Sequence, residues 1–73
     1  MELTNQEKID ILNQHIKNSS IKKYNLHVAI LSEEAATQID QARIDSLNEQ
    51  LTSEEAKYNA LLNELAPLQE SNG

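Results

Sequence analysis

Apolar residues recur every three or four positions through the last third of the chain. The set has one acidic member and otherwise consists of large apolar side chains. It comprises Ile44, Leu47, Leu51, Glu54, Tyr58, Leu61, Leu65 and Leu68. A repeat of about 3.5 residues is typical of a coiled coil, because it places one apolar stripe along one side of a helix. The pattern therefore predicts an amphipathic helix whose stripe must be covered by another helix.

The N-terminal part of the chain predicts a shorter helix with a defined start. Thr4 is a favourable N-cap residue, and Glu7 three positions later completes a capping box. Three large aliphatic residues then follow at helical spacing, and these are Ile9, Leu12 and Ile16. We therefore predict a first helix over about residues 5–18.

Residues 18–20, Asn-Ser-Ser, favour a turn, since their side chains compete for backbone hydrogen bonds. A continuous helix with a weak point there is the alternative. Beyond the serines, heptad spacing links Ile21, Tyr24, Val28, Leu31 and Ala35. Alternation of apolar and more polar residues over 24–30 also resembles a strand. Because no second strand-like run exists to pair with it, helix is the preferred interpretation.

One long helix over about residues 20–66 is the preferred interpretation of the rest. Cap-like runs begin at Ser32 and Thr52, so breaks near 32 or 52 are alternatives, although the heptad spacing crosses both. Pro67 is expected just beyond the helix end, with residues 67–73 as a frayed tail. At 1.5 Å per residue this helix would be roughly 70 Å long.

The apolar stripe changes face within this predicted helix. Val28, Leu31 and Ile39 lie well round a straight helix from Ile44 and Leu47. Either the helix has two faces used by different partners, or it bends or stutters near residues 42–46. A two-faced helix would suit a bundle of three or more helices.

Composition favours a single small domain, residues 1–73, that needs a partner. The hydrophobic fraction is 38%, below the roughly 45–50% usual for a globular domain. Chains of this length bury too little surface for a robust core, and this one has no cysteine for a disulfide. Self-association is the simplest remedy.

Charge is shared unevenly along the chain. Residues 1–31 carry three carboxylates against four lysines, net +1, and residues 32–73 carry nine carboxylates against two cations, net −7. This asymmetry favours an antiparallel arrangement of the two halves and argues against nucleic acid as a partner. No run approaches the ~18 apolar residues of a membrane span, and no secretory signal pattern is present, so we expect a cytoplasmic protein.

Catalytic and metal-binding patterns are missing from the sequence. His15 and His27 are twelve residues apart, too far for a helical His pair, and the adjacent acids at 33–34 and 54–55 point in different directions. Phosphate and dinucleotide loops need internal glycine, whereas Gly73 is the chain's one glycine. We therefore expect neither an enzyme nor a cofactor.

Four polar features each have a structural and a functional interpretation. Glu54 either sets the register of the coiled coil or lies at the edge of the stripe. The lysines at 17, 22 and 23 either solvate a turn or contact an acidic surface. His27 would sense pH only from a position near the apolar stripe. Residues 18–20 also match an N-glycosylation acceptor, but without a secretory signal the turn is preferred.

The sequence thus predicts an all-α protein in which a short N-terminal helix and a long helix form a helical hairpin or coiled-coil oligomer. The expected function is that of a structural scaffold or adaptor that acts as a homo-oligomer. The alternative is a small acidic regulator that binds a larger protein through a helix face. The expected interface residues are Ile9, Leu12, Ile16, Tyr24, Val28, Leu31, Ile39, Ile44, Leu47, Leu51, Glu54, Tyr58, Leu61, Leu65 and Leu68.

Overall fold

Two helices pack side by side as an antiparallel hairpin. The computed structural model describes residues 2–71, with helix α1 over Asn5–Glu34 and helix α2 over Gln41–Ser71. The hairpin measures 54 × 23 × 14 Å, which is shorter than the roughly 70 Å expected of a helix over 20–66. The predicted all-α hairpin is confirmed. The described residues form no strand, so the strand alternative for 24–30 is wrong.

The predicted capping box starts α1. The Thr4 hydroxyl accepts a hydrogen bond from the backbone N–H of Glu7 at 3.1 Å, and the Glu7 carboxylate accepts one from the backbone N–H of Thr4 at 2.9 Å. These two bonds satisfy donors that the first helical turn leaves without partners.

Helix α1 does not end at residue 18 but continues unbroken to Glu34. The predicted first helix was therefore too short, and the continuous alternative is correct. The Asn18 side chain accepts a hydrogen bond from the Gln14 amide at 3.3 Å, and the Ser19 hydroxyl donates to Glu54 on α2. Because other partners occupy these side chains, they do not compete for the backbone hydrogen bonds of the helix.

The chain reverses over residues 35–40, so the predicted single helix over 20–66 is wrong. Of the two alternative breaks, the one near 32 lies close to the observed end of α1, whereas residue 52 lies inside α2. Asp40 starts α2 by accepting a hydrogen bond from the backbone N–H of Arg43 at 3.2 Å. The Arg43 guanidinium also donates to the Glu33 carboxylate at 2.7 Å, which ties the two helix ends together.

Helix α2 runs past Pro67 to Ser71. Residues 67–71 of the predicted frayed tail are therefore helical, and residues 72–73 lie outside the described part of the chain. Pro67 has no backbone N–H to donate to the carbonyl four residues earlier, so it removes one hydrogen bond from α2, and only about one further turn of helix follows it.

A seam of heptad-spaced residues joins the two helices. On α2 it consists of the stripe found in the sequence, all of it buried or half-buried. On α1 it comprises Ile9, Leu12, Ile16, Ser19, Lys23, Leu26 and Ile30. Leu26, Ile30 and Leu47 form a buried apolar cluster near the loop, with Ala29 and Leu51 packed against it. No large side chain in residues 2–70 is fully buried, because a seam of two helices has no inner layer.

Candidate interaction surfaces

Eleven of the expected interface residues lie in the seam between α1 and α2. They are Ile9, Leu12, Ile16, Ile44, Leu47, Leu51, Glu54, Tyr58, Leu61, Leu65 and Leu68. The apolar stripe of α2 is therefore covered by the chain's own first helix. The other four, Tyr24, Val28, Leu31 and Ile39, are exposed, so the structure separates them from the seam.

A buried polar cluster occupies the middle of the seam. The Ser19 hydroxyl donates to one oxygen of Glu54 at 2.7 Å, and the Lys22 ammonium lies 3.5 Å from the other. Glu54 is 6% exposed and Ser19 5% exposed, whereas the Lys22 side chain reaches out of the seam into solvent. Both carboxylate oxygens thus have a partner, which offsets the cost of burying the charge.

The surroundings of Glu54 favour its charged form. The hydrogen bond from Ser19 is the largest influence and lowers the pKa of the Glu54 carboxyl below its ordinary value of 4.5. Burial opposes this shift, while the positive charges of Lys22 and Lys57 add to it. Glu54 therefore stays ionised at neutral pH and holds one fixed alignment of α1 against α2.

Sequence reasoning identified Glu54 as a polar seam residue but did not identify its partner. The missed residue is Ser19, which the sequence pattern places in a turn but which lies buried in α1. Its signal is the spacing from Ile9: continuing the alternation of three and four residues past Ile16 leads to Ser19, Lys23 and Leu26. Extending this register through the polar residues would have placed Ser19 opposite the acidic member of the α2 stripe.

An open cleft of about 500 Å³ lies beside this cluster. His15, Ser19, Lys22 and Lys57 are among the residues that line it. The Ser19 hydroxyl donates to Glu54 rather than to His15, so no nucleophile–base pair forms here. The arrangement stabilises helix packing and presents cations at the rim of the cleft.

Aromatic side chains lie on a neighbouring face of the hairpin. The Lys23 ammonium lies 4.1 Å from the ring centre of Tyr58, a cation–π contact that links α1 to α2. Tyr24 and His27 lie beside each other on α1, with ring centres 6.2 Å apart. His27 is exposed and lies outside the seam.

Four exposed apolar residues form a second stripe on α1, here called the outer stripe: Ile21, Tyr24, Val28 and Leu31. Their exposed fractions are 50%, 67%, 44% and 51%. Their spacing is again three, four and three residues, the signature of a face that packs on another helix. The two stripes whose change of face was expected within one helix lie on either side of the reversal, so that two-faced helix does not form. Helix α1 nevertheless has two apolar faces of its own, the seam and the outer stripe.

Within residues 2–71, His, Asp and Glu side chains form no group of three that could hold a metal ion. Neither helix, over the same residues, is apolar enough along its length to cross a membrane. Comparisons with known proteins give no relative: no family model matches the chain, and no curated protein or solved structure is significantly similar.

Proposed function

We propose that this chain is a non-enzymatic assembly or adaptor protein that acts by self-association of its helical hairpin. The observation that carries the proposal is the imbalance between a thin seam and a large apolar exterior. Described residues with large, exposed apolar side chains are Leu3, Ile11, Ile21, Tyr24, Val28, Leu31, Ile39 and Leu62.

The energetics of a two-helix hairpin support association. Full burial of a large apolar side chain contributes about 1.5–3 kcal/mol, but only part of the seam reaches that degree of burial. Its nearly buried apolar members are Ile9, Leu26, Ile30, Ile44, Leu47 and Leu65, and the other apolar members are half-buried. Ordering the backbone costs about 1–2 kcal/mol for each residue, so a lone hairpin of this length is marginally stable. Covering a second apolar face with another helix adds stabilisation without ordering further backbone.

Thermal unfolding at different protein concentrations tests the proposal. Association that accompanies folding makes the midpoint temperature rise with concentration, because the associated state is favoured by mass action. We expect circular dichroism at the helix band to show this rise over a ~100-fold concentration range. A midpoint that does not change with concentration would contradict self-association and favour the regulator that binds a larger protein.

A further inference from the structure

The outer stripe lies on the side of α1 away from the seam, with Tyr24 at its edge beside a groove that residues of α2 also line. At 3.6 residues per turn, its mean direction is roughly 150° round the helix from the seam positions 19, 23, 26 and 30. The seam already fixes α1 against α2, so the outer stripe is available to a further helix. A heptad-spaced stripe of four layers selects a helix as its occupant rather than a loop or a small molecule.

We propose that the occupant is the same stripe of a second copy, packed antiparallel about a twofold axis near residue 26. This inference deepens the proposed function, on which it rests, by assigning the self-association to one surface. The resulting dimer is a four-helix assembly whose two α1 helices form the centre and whose two α2 helices lie outside.

The residues that flank the outer stripe suit a second copy of the same chain. They are Asn18, Ser20, Asn25, His27, Ser32 and Glu34, of which Glu34 alone carries a formal charge at pH 7. The chain's net charge of −6 comes from residues 32–73, whereas residues 1–31 have a net charge of +1, so pairing through α1 keeps most of the negative charge of the two copies apart. The few charges near the rim are of both signs, so a strongly acidic or strongly basic partner protein would find little charge complementarity there.

The sizes of the side chains that face each other are compatible with antiparallel packing about this axis. Pairing about residue 26 places Ile21 opposite Leu31 of the second copy. It also places Tyr24, the largest member, opposite Val28 of the second copy, the smallest. Each layer then combines complementary volumes, and the twofold symmetry repeats both layers.

Charges at the two ends of the stripe also select the antiparallel orientation. Lys17 lies one layer before Ile21 and falls opposite Ala35 of the second copy, next to Glu34 of that copy. The small alanine leaves room for the lysine to reach this carboxylate, and symmetry forms the pair twice. Neither Lys17 nor Glu34 has an ion pair within the described part of its own chain. Parallel packing would instead bring the two lysines together and the two glutamates together.

Sedimentation velocity of matched variants of the full chain tests the surface. Val28→Glu buries two unpaired carboxylates in the proposed dimer, so we expect its dissociation constant to rise about a hundredfold or more. Leu62→Glu changes an exposed position on α2 in the same way, and this control is expected to remain dimeric like the wild type. Circular dichroism checks that each variant stays helical. If Val28→Glu does not fold, Tyr24→Glu at the most exposed position of the stripe replaces it.

The orientation is tested by single cysteines, which the cysteine-free chain permits. In the antiparallel dimer, the two copies of position 25 lie close together beside the twofold axis. The two copies of position 18 are instead separated by roughly 24 Å along the helix direction, at 1.5 Å rise per residue. A short bismaleimide should therefore join the two chains of the Asn25→Cys dimer through their cysteines. The same reagent should leave the two chains of the Asn18→Cys dimer unlinked.

The outcomes separate the inference from the function on which it rests. A wild type that is monomeric throughout overturns both. A dimer that persists in Val28→Glu and Tyr24→Glu overturns the outer stripe alone and leaves self-association standing. Equal cross-linking at both positions, or none at either position in a sedimenting dimer, overturns the antiparallel geometry.

Discussion

Single residues decide how the two helices are aligned. A leucine at position 54 would complete the apolar stripe of α2, but the chain has a glutamate there, satisfied by Ser19 and Lys22. Sliding α1 by one heptad would separate Ser19 from Glu54 and leave the carboxylate buried against an apolar side chain. The polar cluster thus penalises other alignments, as a polar seam residue does in coiled coils.

Glu54 also makes the stability of the hairpin depend on pH. Its folded-state pKa is lowered, so its contribution is fully present above the ordinary value of 4.5 and is lost as pH falls through the lowered pKa. Glu7, lowered mainly by the backbone N–H of Thr4, adds to the loss in the same direction. We expect Glu54→Gln to be less stable than the wild type at pH 7 and to lose less stability on acidification.

Urea unfolding followed by circular dichroism across the acid range measures this difference. Glu49→Gln serves as the control, since Glu49 is exposed on α2 and makes no hydrogen bond or ion pair among the described residues. Equal acid sensitivity of Glu54→Gln and the wild type would contradict the assigned role of Glu54.

At the scale of elements, a cap and a loop define the helices. The sequence predicted the start of α1 correctly, because Thr4 and Glu7 form a local motif that needs no tertiary partner. It misplaced the reversal, because residues 35–40 contain neither glycine nor proline and Asp40 lacks the acid three positions later that marks a capping box. The change of apolar face between Ile39 and Ile44 was the available signal, and it coincides with the loop.

The seam of α2 could be predicted in full, whereas that of α1 could not. Eight heptad positions from Ile44 to Leu68 are nearly all apolar, so their pattern is strong. The α1 seam includes Ser19 and Lys23, and a second apolar stripe competes with it over the same turns. Periodicity alone cannot rank two stripes on one helix, because the choice depends on the partner that covers each.

Thr4→Ala tests the element-scale account. Loss of the cap should destabilise the hairpin by about 0.5–2 kcal/mol, measured by urea unfolding. Thr52→Ala is the matched control: Thr52 begins a cap-like run but lies in the interior of α2 and is exposed, so alanine there should be neutral or slightly stabilising. The opposite ranking of the two variants would argue against the observed helix bounds.

At the scale of the whole molecule, the chain is a rod with one satisfied seam and one uncovered stripe. Leu47 packs with Leu26 and Ile30 in a buried cluster at the end of the seam that lies close to the reversal. Truncating it removes contacts that no inner layer can replace, because a two-helix hairpin has none.

Leu47→Ala should therefore cost about 2–5 kcal/mol, enough to unfold a marginal domain at room temperature. The same change at the exposed Leu62 should cost less than about 1 kcal/mol. Helicity by circular dichroism distinguishes the two variants. A fully helical Leu47→Ala protein with an unchanged midpoint would mean that the buried apolar cluster lies elsewhere.

The central claim is that folded hairpins associate because their own seam leaves an apolar face uncovered. Sedimentation equilibrium of the wild-type chain over a wide concentration range measures this most directly. The account predicts a reversible, helical dimer with twice the chain mass of 8.2 kDa. A helical species of 8.2 kDa at every concentration would contradict it.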